Sequence, residues 1–239
     1  MPRLLAGAGV AAVVGLPFTL LLGLVGSNWG PLQRLDTAAA RNATSWLLDK
    51  PALVDALDVI ATVFAPRTFY VLAAVAAVGV WLRGARRLAA WIAVTALCGS
   101  LLGVGMKVLV SRSRPTLSDA IAHAPGYSFP SGHALNSFLG CAILLLAFLP
   151  VLHGWRRAAA WAAACVVTFV TGLDRVALGV HYVSDVIGGW ALALATLAGT
   201  TVAFQTWRHE HGLRRTHTTS AGVDPDAEPE LSRSGHERP

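Results

Sequence analysis

The stretch PSGHALNSFLGCAILLLAFLPVL, residues 130–152, joins a polar turn to an uninterrupted apolar run. The run itself, residues 134–152, carries no charge, and at about 1.5 Å per residue a helix of this length approaches the roughly 30 Å hydrocarbon core of a membrane. Ser131 and Gly132 stand immediately before it, where a helix is expected to begin. The stretch therefore predicts a membrane-spanning helix with His133 at its amino-terminal end.

Five further apolar runs surround this one, at residues 4–27, 68–82, 88–106, 158–173 and 186–207. The 68–82 run has only 15 residues, so a span there must recruit residues before Pro66 or lie where the bilayer is thinner. The 4–27 run is longer than the core of a signal peptide, and Gly-Ser-Asn-Trp is a poor cleavage site, which favours a retained helix. We expect an all-α membrane bundle of about six transmembrane helices.

The composition agrees with a membrane protein. Of the 239 residues, 54% are hydrophobic and 13% are charged, about half the charge content of a soluble domain, and the mean hydropathy is +0.56. The net charge of +6 does not indicate nucleic-acid binding, because the basic residues sit in pairs between apolar runs and are not interleaved with aromatic residues. Their placement indicates membrane topology instead.

Basic residues accumulate on one side of a six-span arrangement, which is the cytoplasmic side of most membrane proteins. They are Arg3, Arg83, Arg86, Arg87, Arg156, Arg157, Arg208, Arg214 and Arg215. An even number of spans then places both termini in the cytoplasm and the intervening polar loops on the extracytoplasmic face of the cell membrane.

Two regions outside the apolar runs have distinct character. Residues 28–67 are mixed in charge, and the helical spacing of Leu53, Leu57 and Ile60 predicts an amphipathic helix along the interface. Beyond Trp207 the sequence is polar, and disorder is expected. We therefore predict a membrane-embedded domain at 1–207 and a disordered cytoplasmic tail at 208–239.

Three polar stretches stand at the edges of the predicted spans. They are Lys107 with Arg114 and Pro115, the sequence Pro130-Ser131-Gly132-His133, and Arg175 with His181 and Asp185. Ionisable residues at a span edge are costly and are often functional. Lys107 alone also fits a snorkelling side chain, but Arg114 seven residues later gives two cations that together suit a phosphate.

The second stretch begins a helix, and free backbone N–H groups at a helix N-terminus bind anions. Gly132 permits close approach, although a Ser-Gly pair is also an ordinary helix cap. A histidine titrates near neutral pH, so His133 is suited to donate a proton to a leaving alkoxide.

In the third stretch, Asp185 is four residues after His181, so its carboxylate can orient one ring nitrogen and leave the other free to attack. Arg175 adds a third cation. Together the stretches predict a phosphoryl-transfer site in a membrane, and hence a phosphatase acting on lipids.

These motifs resemble the signature motifs of the type 2 phosphatidic acid phosphatase superfamily, the lipid phosphate phosphatases, over residues 88–207. Glucose-6-phosphatase and the soluble vanadium-dependent haloperoxidases belong to the same superfamily. The resemblance implies a six-helix fold and a phosphatase that needs no metal or other cofactor. It also implies that His181 becomes a phosphohistidine, that Asp185 orients it and that His133 protonates the leaving group. The residues implied to hold the phosphoryl oxygens are Lys107, Arg114, Ser131, Gly132 and Arg175.

One position departs from the family pattern: Asp174 stands where serine usually precedes the arginine. Its carboxylate could pair with Arg175 or weaken phosphate binding, so we leave it out of the predicted site. Arg112 and His123 match no motif residue, and we interpret them as loop residues that could touch a head group.

The candidate substrates implied by the family are phosphatidate, diacylglycerol pyrophosphate, phosphatidylglycerol phosphate and undecaprenyl pyrophosphate. The expected partners are thus a lipid phosphate substrate and membrane lipids, and the oligomeric state stays open. Two alternatives remain. One is a non-catalytic lipid transporter or lipid-binding protein, which would need no nucleophile. The other is a vanadate-dependent haloperoxidase, disfavoured because those relatives are soluble.

Overall fold

The computed structural model describes residues 2–117, 121–214 and 216–232. Its long helices are α1 (Pro2–Gly26), α2 (Gly30–Leu47), α3 (Pro51–Val63), α4 (Pro66–Leu82), α5 (Arg86–Val110), α6 (Gly132–Phe148), α7 (Gly154–Ala177) and α8 (Val183–Glu210). Two short helices follow, α9 (Thr218–Ala221) and α10 (Glu228–Ser232). No strand occurs among the described residues, and the all-α prediction is confirmed.

Within the described part of the chain, five helical segments are long and apolar enough to cross a membrane: Pro51–Leu82, Arg86–Val110, Gly132–Val151, Gly154–Ala177 and Val183–Glu210. The sixth predicted span corresponds to α1, whose part from Val14 to Gly26 is apolar. With 25 residues, α1 extends about 37 Å, which exceeds the hydrocarbon thickness.

The second apolar segment includes residues before Pro66, which is one of the two possibilities that the short 68–82 run left open. The expected interfacial helix around Leu53 and Ile60 is α3, and it forms the first half of the apolar segment Pro51–Leu82. A short break at Phe64 and Ala65 separates α3 from α4, which Pro66 begins. Helix α3 has the expected amphipathic pattern, contacts α2 and α7, and carries the Ala61 carbonyl beside His133, so it lies at the end of the bundle where α6 begins. Helix α2 is a second amphipathic helix in this region, which the sequence analysis did not predict.

Helix α6 lies at the centre of the bundle and packs against α4, α5, α7 and α8. In its apolar segment 67% of residues are buried, compared with 22–33% in the other four. Glycines permit the close packing. A Cβ atom on Gly140 would lie 2.5 Å from the Phe69 ring, and one on Gly189 would lie 2.8 Å from the Ser131 carbonyl oxygen. The amino-terminal end of α6, which carries Ser131 to His133, is therefore fixed by its neighbours.

Large apolar side chains cover the outside of the bundle. Leu20, Val75, Leu101 and Val108 are 60–65% exposed, and Phe169 is 55% exposed. Such a surface is suited to lipid acyl chains rather than to water.

The carboxyl-terminal segment differs from the predicted disordered tail. Helix α8 continues to Glu210, and within 216–232 the side chains of Val223, Ala227 and Leu231 are buried. The buried guanidinium of Arg208 donates hydrogen bonds to Asp224 and Asp226. These three apolar residues recur every four positions, which is too few to show in the composition but enough to bury part of the segment between Val223 and Leu231. Residues 215 and 233–239 of the predicted tail lie outside the described part.

Candidate active site

The three polar stretches meet at one end of the bundle, where α5 and α7 end and α6 and α8 begin. Nη1 of Arg114 lies 3.1 Å from Nε2 of His181, which joins the first stretch to the third. The backbone N–H of Ser131 donates to the Asp185 carbonyl at 2.9 Å, which joins the second stretch to the third. The structure thus brings together residues that are 54 and 67 positions apart in the sequence.

His181 lies in the short loop before α8 and is 3% exposed, and Asp185 is fully buried in the first turn of that helix. Asp185 Oδ2 lies 3.4 Å from His181 Nδ1 and accepts a hydrogen bond from the Tyr182 backbone N–H at 2.9 Å. The pair therefore meets across a helix-capping turn, not along one helix face as the four-residue spacing suggested. With its proton on Nδ1, His181 donates to Asp185 and turns the lone pair of Nε2 towards Arg114.

The electrostatic surroundings keep the His181 imidazole neutral. Burial lowers the pKa of His181 to about 4, because the charged form loses hydration. Asp185 acts in the opposite direction, while the cations Arg114 and Lys107 add to the lowering. At neutral pH His181 is unprotonated, which is the state a nucleophile requires.

Backbone carbonyls of the loop before α6 hold two of the predicted cations. Lys107 Nζ donates to Tyr127 O at 2.8 Å, and Arg114 donates to Gly126 O at 3.0 Å. A further Arg114 hydrogen bond of 2.8 Å reaches Val180 O beside His181. The loop places both charges next to the imidazole without neutralising either of them.

Arg175 lies in the last turn of α7 and is 7% exposed. Its Nε donates to Oδ2 of Asp174 at 3.0 Å, and its Nη2 donates to the same oxygen. Asp174 is 1% exposed, and its Oδ1 has no hydrogen-bond partner among the described residues. The structure therefore shows that this unusual carboxylate pairs with Arg175, one of the two consequences expected from the sequence.

The second stretch begins α6 as predicted. The Ser131 hydroxyl caps the helix by accepting from the Ala134 N–H at 3.4 Å, and Gly132 is the first helical residue. His133 Nε2 lies 3.2 Å from the carbonyl oxygen of Ala61 in α3. Arg175 and His181 are close enough to interact electrostatically with the His133 ring.

Sequence reasoning missed two residues beside the site. Arg112 was interpreted as a possible head-group contact, but its guanidinium bridges the carboxylates of Asp185 and Asp36. Asp36, in α2, is 2% exposed and had no part in the predicted site. No short-range spacing reveals this arrangement, because Asp36 is separated from Asp185 by most of the chain. His123, the other residue without a motif match, lies exposed in the loop between α5 and α6.

An apolar helical bundle that carries buried histidine, carboxylate and guanidinium groups at one end is the structure of an integral membrane protein with a polar cluster. The sequence model of the PAP2 superfamily matches residues 84–209, which is more than half of the chain. The chain therefore belongs to the PAP2 superfamily, as the resemblance of its motifs suggested.

Two known proteins are similar to it. Phosphatidylglycerophosphatase B of Bacillus subtilis (strain 168) is 35% identical over 98 residues, or 39% of this chain and 47% of the relative. The match thus spans about half the length of that relative. The crystal structure of a transmembrane PAP2 type phosphatidylglycerolphosphate phosphatase from Bacillus subtilis superimposes with a TM-score of 0.69 and 25% identity, covering 87% of this chain and 98% of that one. The likeness confirms a transmembrane PAP2 fold.

Proposed function

We propose that this protein is an integral membrane phosphatase that hydrolyses a lipid phosphate through a covalent phosphohistidine at His181. The observation that carries the proposal is the buried His181–Asp185 pair, whose free nitrogen Nε2 lies 3.1 Å from Arg114. A nucleophile beside a fixed cation is the arrangement that phosphoryl transfer needs.

In the first step, Nε2 of His181 attacks phosphorus, a P–N bond forms and the P–O ester bond breaks. His133 donates its proton to the departing lipid alkoxide. In the second step, water attacks the phosphohistidine while His133 takes a proton from it, which releases inorganic phosphate and regenerates neutral His181. His133 thus acts as acid and then as base.

The phosphoryl oxygens are held by the three cations Lys107, Arg114 and Arg175 and by the N-terminus of α6. The space around Gly132 supports this, because a Cβ atom there would contact only Pro66, at 3.8 Å, and the chain itself does not require a glycine. The N–H groups of Ser131 and Ala134 are already bonded, whereas those of Gly132 and His133 have no acceptor among the described residues and can meet an anion. The cations supply charge that Mg²⁺ supplies in many other phosphoryl-transfer enzymes, so we expect activity without a metal.

Phosphatidylglycerophosphate is the first substrate candidate, since both similar proteins are named for that activity. The other candidates are phosphatidate, diacylglycerol pyrophosphate and undecaprenyl pyrophosphate. A non-catalytic lipid transporter would not require a histidine whose free nitrogen faces a cation. A haloperoxidase is disfavoured by the lipid-facing surface.

We further propose that the site opens to the extracytoplasmic side and that both termini are cytoplasmic. The bundle end opposite the site carries Arg83 before α5, Arg86 and Arg87 in the first turn of α5, and Arg156 and Arg157 at the start of α7. Such basic clusters remain on the cytoplasmic side.

The proposed function is tested by measuring phosphate release from the four candidate lipids with purified protein in detergent, with and without excess EDTA. The matched variants are His181→Ala and His123→Ala, which remove a site histidine and an exposed loop histidine. We expect release from at least one lipid, unaffected by EDTA and by His123→Ala but abolished by His181→Ala. No release from any of the lipids, or a complete loss in EDTA that Mg²⁺ restores, would refute the proposal.

A further inference from the structure

A buried network of charges lies directly behind the His181–Asp185 pair. Arg112 Nη1 donates to Asp185 Oδ1 at 2.6 Å, and its Nη2 donates to Asp36 Oδ2 at 2.8 Å. One guanidinium therefore binds two carboxylates that are both almost inaccessible, Asp36 at 2% and Asp185 at 0% exposure. Its flat face stacks on the Tyr182 ring at 4.3 Å.

Asp36 has a second set of contacts on α8. Its Oδ1 accepts from the backbone N–H of Ser184 at 3.0 Å, and the Ser184 hydroxyl donates to Oδ2. Arg112 Nη1 also bonds to the Ser184 hydroxyl oxygen at 2.6 Å. Helix α2 is thus tied to the first turn of α8, where Asp185 lies, through a backbone group and a side chain.

The charge balance shows why Arg112 matters. Burial alone would lower the pKa of Arg112, but Asp185 and Asp36 outweigh it and raise that pKa, so the guanidinium stays charged. Two buried carboxylates that share one cation depend on it, because an uncompensated buried charge is strongly unfavourable. Asp185 can then remain ionised behind His181.

We propose that Arg112 and Asp36 are positioning residues for the reaction, with Arg112 fixing the Asp185 carboxylate that orients His181 and Asp36 fixing Arg112. The inference rests on the proposed function, in which His181 is the nucleophile. Both terminal nitrogens of Arg112 bind carboxylates. Lys107 and Arg114, the cations placed at the phosphate, bind backbone carbonyls and the His181 ring, and among the described residues no carboxylate pairs with either of them. Asp36 precedes residues 84–209, so a helix outside the family match supports the reacting pair.

The test compares Arg112→Gln, Arg112→Lys and Asp36→Asn with the control Arg34→Gln, an exposed position on α2. For Arg112→Gln we expect kcat to fall about 10- to 100-fold with KM nearly unchanged, the range found for groups that orient a functional histidine. The Lys variant should recover part of the loss, because it keeps the charge but not the fork. Arg34→Gln should match the unmodified protein.

A double variant separates positioning from general damage. Because Asp36→Asn removes the carboxylate that Arg112→Gln leaves unpaired, the two together should cost no more in kcat than Arg112→Gln alone. Independent defects would instead multiply. Melting temperature in detergent, measured on each variant, identifies any that fail to fold.

The pH dependence of kcat/KM is a further measurement, and it would not change if the role of Arg112 were purely structural. The charged groups facing His181 are Asp185, Arg114 and Lys107. Without Arg112, the Asp185 charge is less compensated and favours the imidazolium, so the acidic limb should move to higher pH than in the unmodified protein. Substrate ionisation is common to both profiles and cancels in their ratio.

If the unmodified protein releases phosphate from none of the lipids, the proposed function itself is wrong. With an active protein, a folded Arg112→Gln variant that keeps kcat within about threefold would overturn the inference. So would a rise in KM with unchanged kcat, which would make Arg112 a substrate ligand.

Discussion

His133 lies at the start of α6, with Nε2 3.2 Å from the Ala61 carbonyl and the positive charge of Arg175 nearby. A general acid lowers the activation barrier most when the leaving group is strongly basic and must be protonated as it departs. We therefore expect His133→Ala to lower the rate about 10²- to 10⁴-fold on lipid phosphates, whose alkoxides are poor leaving groups.

The same variant should lose much less activity on an aryl phosphate, whose phenolate departs without protonation. Steady-state kinetics on the two substrate types measures the difference. Equal losses on both would assign His133 a role in binding or structure and would contradict its proposed role as proton donor.

A second prediction concerns the contact between Asp174 and Arg175. Its Oδ2 occupies Nε and Nη2 of Arg175, so an incoming phosphate must compete with a carboxylate for that guanidinium. Replacing Asp174 with Ser, the residue usual in the family, should free Arg175 and tighten inhibition by vanadate about 3- to 30-fold, within the energy of one charge-assisted hydrogen bond.

Vanadate inhibition constants for Asp174→Ser and the isosteric Asp174→Asn measure this effect, with melting temperatures as the folding control. Unchanged or weaker vanadate binding in a folded Asp174→Ser variant would indicate that the carboxylate orients Arg175 for the anion rather than competing with it.

The sequence predicts that two site residues lie close together only where they are a few positions apart at the edge of a membrane span. Lys107 with Arg114, and His181 with Asp185, are close in sequence, and the helix ends that carry them necessarily meet in an antiparallel bundle. Asp36 could not be found in this way, because its contact with Ser184 spans 148 positions and depends on how α2 docks. Long-range polar contacts leave no periodic signal in a single sequence.

At the scale of elements, the carboxyl-terminal segment holds together the bundle end opposite the site. Arg208 on α8 and Asp224 are each 1% exposed and directly paired, and Arg87 of α5 lies 3.8 Å from the same carboxylate. The Val223 N–H donates to Leu146 O at the end of α6 at 3.1 Å. The segment thus links α5, α6 and α8, whereas the composition had predicted a disordered tail that contacts none of them.

We expect Asp224→Ala to destabilise this end by about 3–5 kcal/mol, since it leaves Arg208 buried with an incomplete partner set. Asp226→Ala is the matched control, because it removes the other carboxylate that binds Arg208. The Asp226 side chain is 48% exposed, so its loss should lower the free energy of unfolding much less. Melting temperature and the rate of tryptic cleavage after Arg214 measure both variants. Equal behaviour of the two would contradict the burial argument.

The same segment shows where the composition argument failed. The tail is polar on average, but Gly222 has φ +80° and a Cβ there would lie 2.7 Å from Pro150, which only a glycine avoids. This close approach lets Val223 reach the bundle. Average polarity predicts disorder correctly only where no such anchoring contact exists.

At the scale of the whole molecule, the proposed orientation decides which leaflet supplies the substrate. Two exposed loop histidines form a matched pair: His123 between α5 and α6, beside the site, and His153 before α7, at the opposite end. In a background free of Cys98, Cys141 and Cys165, we expect His123→Cys in intact cells to react with a membrane-impermeant maleimide.

His153→Cys should react only after the membrane is permeabilised. Ser118, in the same loop as His123, lies outside the described residues. The reverse labelling pattern would place the site in the cytoplasm and restrict the substrates to lipids of the inner leaflet.

In the proposed mechanism, every turnover passes through a phosphoryl group bonded to His181. The most direct measurement is single-turnover reaction with radiolabelled phosphatidylglycerophosphate, or whichever candidate lipid is turned over fastest, quenched in alkali to preserve phosphohistidine and followed by peptide mapping. We predict label on the peptide that contains His181, none in His181→Ala, and a longer-lived label in a variant that slows hydrolysis. Label on a different residue, or a folded His181→Ala protein that keeps more than a few per cent of the activity, would contradict the account.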